Sequence, residues 1–323
     1  MSQKTLLRLS TRPNGSNHLV NWRVADIPPQ TGRVAVVTGA NSGIGWHTAL
    51  ELARAESDVI LTVRSEDKGR TAVENIRRLL PRARVRAELL DLASLQSVRA
   101  FAERMKREPR LDLLVNNAGV MSVPKREITE DEFERQFGTN YLGPFALTGL
   151  LFPILRRSPW PRITTVSSGA ANMGLRRVNF DDLQWEKSYS PWKAYCQSKL
   201  ADLIMTVELG RRVSAKGIAM LTTAAHPGYA RTNLQTSGPG RRQGVVEKLA
   251  ERIASQDAAQ GALPTLRAAT EPNAEQLSYY GPGRFFNLKG DPVPISVPEP
   301  ARDEIAARRL WEVSEELTGV QFL

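Results

Sequence analysis

A chain of 323 residues, 41% hydrophobic and 24% charged, has the composition of a soluble globular protein and is long enough to bury a large core. Its one cysteine, Cys196, excludes an intramolecular disulfide and fits a reducing compartment, so a cytoplasmic location is expected. The formal charge of +10 is scattered as short pairs such as Arg77-Arg78, Arg156-Arg157 and Arg241-Arg242, with no aromatic-interleaved stripe; this argues for solubility and against a nucleic-acid surface.

Residues 1–30 read as an N-terminal extension. Its first 25 residues hold Lys4, Arg8, Arg12 and Arg23, no acid and no apolar core of the signal-peptide kind, which predicts a disordered tail. From residue 31 onward no low-complexity linker divides the chain, and a single domain over 31–323 is expected. Apolar runs bounded by turns recur at 33–37, 58–63, 84–89, 111–115, 162–167 and 218–224. Between them, apolar positions fall at helical spacing, as in Val73, Ile76, Leu79 and Leu80, or Val98, Phe101, Ala102 and Met105. That alternation predicts an α/β fold, a doubly wound parallel sheet flanked by helices. The most apolar window, 141–155, is interrupted by Gly143, Pro144, Gly149 and Pro153 and falls short of the ~20 residues of a transmembrane helix; it reads as a buried core helix.

The first run leads into the turn TGANSGIG at 38–45, with glycines at 39, 43 and 45, and then into an amphipathic stretch. A buried strand that reverses into a helix through such a turn offers free N–H groups and a positive dipole end to a pyrophosphate. The spacing, G-x3-G-x-G, differs from the commoner G-x-G-x-x-G. In parallel sheets a ligand lies at the carboxyl ends of the strands. The residues that follow the other runs are Arg64, Asp91, Asn116-Asn117-Ala118-Gly119, Ser167-Ser168 and His226-Pro227-Gly228. A cofactor can lie along small, polar and turn-forming residues of this kind.

Tyr195 and Lys199 lie four apart in a stretch, 192–209, that reads as a helix, so both project from one face. An ammonium beside a phenol favours the phenolate and makes Tyr195 usable as a proton donor or acceptor. The three histidines, His18, His47 and His226, lack ligand-like spacing, and no metal site is expected.

The ordered set TGANSGIG, NNAG at 116–119, Asn140 in FGTNYLG, Ser168 in TTVSSG, YCQSK at 195–199 and HPGYART at 226–232 resembles the short-chain dehydrogenase/reductase family. The tail at 299–319 resembles its retinol-dehydrogenase-like branch. The resemblance implies a Rossmann-type sheet of about seven strands. It implies that Tyr195 exchanges a proton with the substrate oxygen, Ser168 hydrogen-bonds that oxygen, Lys199 lowers the phenol's pKa and holds the nicotinamide ribose, and Asn140 anchors a water that passes protons to Lys199. The cofactor site so implied comprises Gly39, Asn41, Ser42, Gly43, Ile44, Gly45, Arg64, Asp91, Leu92, Asn117, Ala118, Gly119, Tyr195, Lys199, Pro227, Gly228 and Thr232. Within it Asp91 would meet the adenine, Asn117 and Gly119 the adjacent ribose region, and Pro227, Gly228 and Thr232 the nicotinamide end.

About 20 residues past a glycine turn, a carboxylate suits a ribose 2′-hydroxyl and an arginine a 2′-phosphate. Here the residue is Arg64, with Lys68 a turn later, so NADP(H) is expected over NAD(H). Ser168 and Tyr195 are 27 positions apart, a longer insertion than in many members of the family. Residues 173–192, with Met173, Phe180, Trp185 and Trp192, and residues 235–255 would cover the substrate. Apolar lining favours a lipophilic carbonyl or alcohol, for which retinoid, steroid-like, terpenoid and aromatic candidates stay open. Protochlorophyllide-reductase-like reduction of a carbon–carbon double bond, and a non-catalytic NADP(H) sensor, stand as alternatives. Cys196 reads as packing, and the oligomeric state is left open.

Overall fold

A computed structural model describes residues 22–228 and 257–323. Eight strands form one sheet in the order β3-β2-β1-β4-β5-β6-β7-β8. They are β1 (Val34–Thr38), β2 (Asp58–Val63), β3 (Val85–Leu89), β4 (Leu113–Asn116), β5 (Arg162–Val166), β6 (Leu221–Ala225), β7 (Tyr279–Arg284) and β8 (Lys289–Ile295). Every pair is parallel except β7 with β8. The sheet therefore has one strand more than expected, and its last is antiparallel. The reason lies in composition: β7 and β8 read YYGPGR and KGDPVPI, and proline survives in a strand only where its missing N–H is not needed, as at an edge.

The side chains of the central strands alternate between two apolar layers, as a pleated ribbon requires. Val36, Ile60, Leu114 and Ile163 enter one layer, and Val37, Leu61 and Val115 enter the other. The first layer is covered by α3 (Leu95–Met105), α5 (Gly143–Leu155), α6 (Pro191–Ala215) and α8 (Glu304–Thr318); the second is covered by α1 (Gly43–Arg54), α2 (Glu66–Leu79) and α7 (Ala258–Thr270). The apolar window is the buried helix its composition implied, since Leu147, Leu151 and Leu155 are fully enclosed. A short α4 (Arg135–Phe137) runs into it through a π turn, Gly138–Leu142. No described helix is long and apolar enough to cross a membrane.

The tail expectation needs correction at its end. Trp22 is buried in the second layer, with Val24 and Ile27 packed beside it, so residues 22–27 belong to the folded body; residues 1–21 lie outside the described range.

Strand order reverses between β1 and β4, whose chains continue into opposite halves of the sheet. A reversal of this kind opens a crevice at the carboxyl ends of the strands. The glycine turn and the NNAG segment both leave the sheet there.

Candidate active site

At the head of the crevice, β1 ends on Thr38. Its hydroxyl accepts from the backbone N–H groups of Asn117 (2.9 Å) and Ala118 (3.0 Å), while Asn117 Nδ2 donates to the Thr38 carbonyl at 2.7 Å. The two strand-end loops are thereby sewn together, and glycine is what lets them close. A Cβ on Gly39, whose φ is +64°, would stand 2.9 Å from the Ala118 Cβ, and one on Gly45 would stand 2.5 Å from Asn117 Nδ2. Two of the three glycines thus serve the packing of Asn117 and Ala118 first; clearance for a pyrophosphate is a by-product of the same backbone.

The Ser42 side chain accepts no bond from the α1 backbone it precedes, and its hydroxyl accepts instead from Asn41 Nδ2 at 3.4 Å. The first N–H groups of this helix are left for an anion, while Ile44 packs on the second apolar layer. The residues present therefore fit the diphosphate of a dinucleotide. Arg64, exposed at the end of β2, makes no ion pair with a described residue. Asp91 accepts from Ala93 N at 2.9 Å, which folds the turn after β3, and Leu92 is buried beneath it. Gly228 N donates to His226 Nδ1 at 3.1 Å and rigidifies the turn after β6. Burial pushes the His226 imidazole down to about 4, so the ring is neutral near pH 7. Thr232 and residues 235–255 lie outside the described residues.

The four residues singled out for chemistry come from three elements, the π turn (Asn140), the turn after β5 (Ser168) and α6 (Tyr195 and Lys199), and converge. Ser190 caps α6 and Pro191 opens it, a proline being well tolerated at that first position. The helix is then keyed at two points: Ser167 Oγ donates to the Lys199 carbonyl at 2.7 Å, and Asn140 Nδ2 donates to Ser198 Oγ at 2.9 Å. This fixes the rotation of α6, so that Tyr195 and Lys199 both face the crevice floor, buried to within 5% exposure. The Ser168 hydroxyl, which caps the turn after β5 by accepting from Ala170 N at 3.2 Å, lies near enough to the Tyr195 phenol to lower its pKa. Lys199 Nζ donates to the Val166 carbonyl at 3.1 Å and to Asp202 Oδ2 at 2.8 Å. A Cβ on Gly119 would lie 3.2 Å from Asn140 Oδ1 and 3.6 Å from Lys199 Nζ, which brings the NNAG segment to the same spot.

The electrostatics depart from expectation in one respect. Burial pushes the Tyr195 phenol up; Lys199 and Ser168 pull it back without cancelling the rise, and Asp202 and Cys196 add to it. Lys199 does lower the phenol's pKa, but desolvation is larger. For Lys199 itself burial disfavours the ammonium, yet the nearby Asp202 carboxylate and Tyr195 outweigh it and the pKa rises. Burial lifts Asp202 to about 6 against the pull of Lys199. Near neutral pH the pair is therefore ionised on both sides.

Asp202 was not singled out from the sequence, although its place three residues after Lys199 on one helix is a local signal. Met121 was also missed; it packs against Tyr195, Ala170 and Cys196. Cys196 is buried packing, as read, with its thiol pushed up to about 11 by burial. The insertion at 173–192 divides. Trp185 is buried and Phe180 sits under Arg309 at 4.2 Å, both turned to the protein interior or α8, whereas Met173 and Trp192 are exposed and the Trp192 ring lies 5.8 Å from that of Tyr195. Trp192, with Met121, offers apolar surface at the phenol.

Known proteins resemble this chain in sequence and in fold. Residues 33–181 match the short chain dehydrogenase family. The chain is 43% identical to mouse (Mus musculus) retinol dehydrogenase 13 over 302 residues, which span 90% of this chain and 84% of that protein. A crystal structure of an uncharacterized protein from Mycobacterium paratuberculosis superposes with a TM-score of 0.77 at 41% identity, covering 94% of this chain and 99% of that one. A short chain dehydrogenase from Escherichia coli CFT073, solved in complex with NADPH, gives a TM-score of 0.53 at 27% identity over 65% of this chain and 82% of that one.

Proposed function

This chain belongs to the short-chain dehydrogenase family, in a retinol-dehydrogenase-like branch, and is a dehydrogenase or reductase acting on CH–OH and C=O groups; we propose that it uses NADP(H), takes a lipophilic carbonyl or alcohol, and moves the proton through Tyr195. One observation carries the reading: the Tyr195 phenol, the nearby Ser168 hydroxyl and the Lys199 ammonium meet where α6 passes the carboxyl end of β5.

A nicotinamide bound along this crevice supplies or accepts the hydride. The work of the chain's own residues is to bind, orient and move a proton. Ser168 and Tyr195 present hydroxyl groups to the oxygen on which negative charge builds during reduction, and donors fixed in advance stabilise that charge without reorganising. Tyr195 gives its proton to the oxygen, and in the reverse direction takes it. Burial holds the phenol protonated at neutral pH, the state that reduction requires. Lys199 stabilises the phenolate left behind. Met121 and Trp192 lie against Tyr195, and apolar surface around a few convergent polar groups suits a lipophilic substrate. The name of the mouse relative, a retinol dehydrogenase, supports the same class. Arg64, exposed and without an ion-pair partner among the described residues, supports NADP(H), as does the NADPH complex of the E. coli protein.

The test is turnover of a panel of lipophilic aldehydes and ketones, followed by NADPH absorbance. Reduction to the alcohol, faster with NADPH than with NADH, is the expected result. No turnover of any carbonyl, or reduction at a carbon–carbon bond instead, overturns the reading.

A further inference from the structure

The Lys199–Asp202 pair is unusual in its economy. Both side chains are almost wholly enclosed, at 6% and 2% exposure. Asp202 Oδ2 takes its bond from Lys199, and Asp202 Oδ1 has no hydrogen-bond partner among the described residues. Burying a carboxylate with one oxygen unpaired is costly, and such pairs contribute little to stability compared with apolar residues of equal volume. Among the described residues the side chain's one hydrogen bond is with the ammonium near the phenol.

We propose that Asp202 is a positioning residue for proton transfer: its carboxylate holds the Lys199 ammonium on the Val166 carbonyl and the NNAG segment, and its negative charge limits how much of the lysine's field reaches the Tyr195 phenol. The inference rests on Tyr195 as proton donor. With the pair intact the phenol faces a short dipole instead of a bare cation, so it keeps its proton at neutral pH and gives it up only to an oxygen that is gaining charge. The directions agree, for Lys199 lowers the phenol and Asp202 raises it.

Other groups around the pair are few. From the π turn, Tyr141 feels the Asp202 charge, with its hydroxyl shared with Ser314 of α8 at 2.7 Å. Cys196 lies next to Tyr195 on α6. β5 contributes the Val166 carbonyl and, at its far end, Arg162; the 3-10 turn Gly169–Asn172 contributes no titratable side chain. In α4 the charged residue is Arg135. Elsewhere α6 pairs Glu208 with Arg211 and Arg212, and Arg211 with Glu304 of α8, two to three turns from Asp202.

The test is the pH dependence of alcohol oxidation by the full chain with NADP+, for the wild type, Asp202→Asn, Asp202→Ala and Asp202→Glu. The limb that reports phenol ionisation moves to lower pH by about one unit in the Asn and Ala variants, because a compensating negative charge is gone, and returns toward the wild-type position in the Glu variant. Asp202→Ala leaves room for a water on the ammonium where Asn does not. A folded Asn or Ala variant with an unmoved limb overturns the proposal, as does unfolding of both, which would make the pair structural. Ultraviolet titration of the phenol, taken as the difference from Tyr195→Phe, reads the same shift without turnover. Should the wild type reduce no carbonyl, the functional reading fails, while this titration still decides the role of Asp202.

Discussion

The Asn140 carboxamide is bound twice by one residue: its Oδ1 accepts from Val120 N at 2.7 Å and its Nδ2 donates to the Val120 carbonyl at 2.9 Å. A further Nδ2 bond to Ser198 Oγ ties the π turn to α6. The side chain is fully engaged as a brace between the NNAG segment and the helix that carries Tyr195 and Lys199. Among the described residues the carboxamide's bonds are thus directed to protein groups.

Asn140→Asp keeps the shape and loses both donated bonds. A buried partner left unpaired is costly, so the melting temperature falls. The loosened alignment of α6 lowers kcat by roughly tenfold or more with a smaller change in KM. A variant with wild-type kcat would separate the brace from the chemistry.

Arg64→Leu removes the cation at the end of β2. The KM for NADPH rises by roughly tenfold, the scale of a lost hydrogen bond to a charged group, and the KM for NADH stays within about twofold. Steady-state kinetics with both cofactors measure this, and an unchanged preference removes Arg64 from the site.

His226 gives a pH prediction whose sign can be worked out. Its folded pKa, about 4, lies below the 6.5 of a free imidazole because burial penalises the cation. The unfolded chain therefore binds the extra proton first, and this residue's contribution to stability is present above 6.5 and is lost as pH falls toward 4, by on the order of 3 kcal/mol. Asp202 and Glu134, raised by burial, act oppositely in part of that range, so the wild type alone does not isolate the effect. The difference in melting temperature between wild type and His226→Asn does. It shrinks as pH is lowered from 7 to 4.5, and a constant difference would contradict the burial of a neutral ring.

Much of this was legible in the sequence because the signals are local. Strands buried on both faces read as apolar runs, and each of the six runs overlaps a strand to within a few residues at its ends. Tyr195 and Lys199 share a helical face by spacing alone. The two strands outside those runs are β7 and β8, which hold Pro282, Pro292 and Pro294, with β8 at the sheet edge; their pairing depends on neighbours and not on their own pattern. The insertion at 173–192 shows a second limit. Composition identifies its aromatic residues, but only packing reveals that Trp185 and Phe180 turn away from the phenol while Trp192 stays beside it. The Tyr195 phenol marks a third. Lys199 was rightly read as an acidifying neighbour, but desolvation and Asp202 decide the net direction, and burial is set by tertiary structure.

The central claim is that Tyr195 hands over the proton while other groups hold the cofactor. Its most direct test is Tyr195→Phe, with NADPH binding followed by fluorescence titration and hydride transfer by single-turnover absorbance on a lipophilic ketone. The account predicts a dissociation constant for NADPH within about threefold of wild type and a transfer rate lower by about 100-fold to 10,000-fold. A rate near that of the wild type, with cofactor bound, would contradict it.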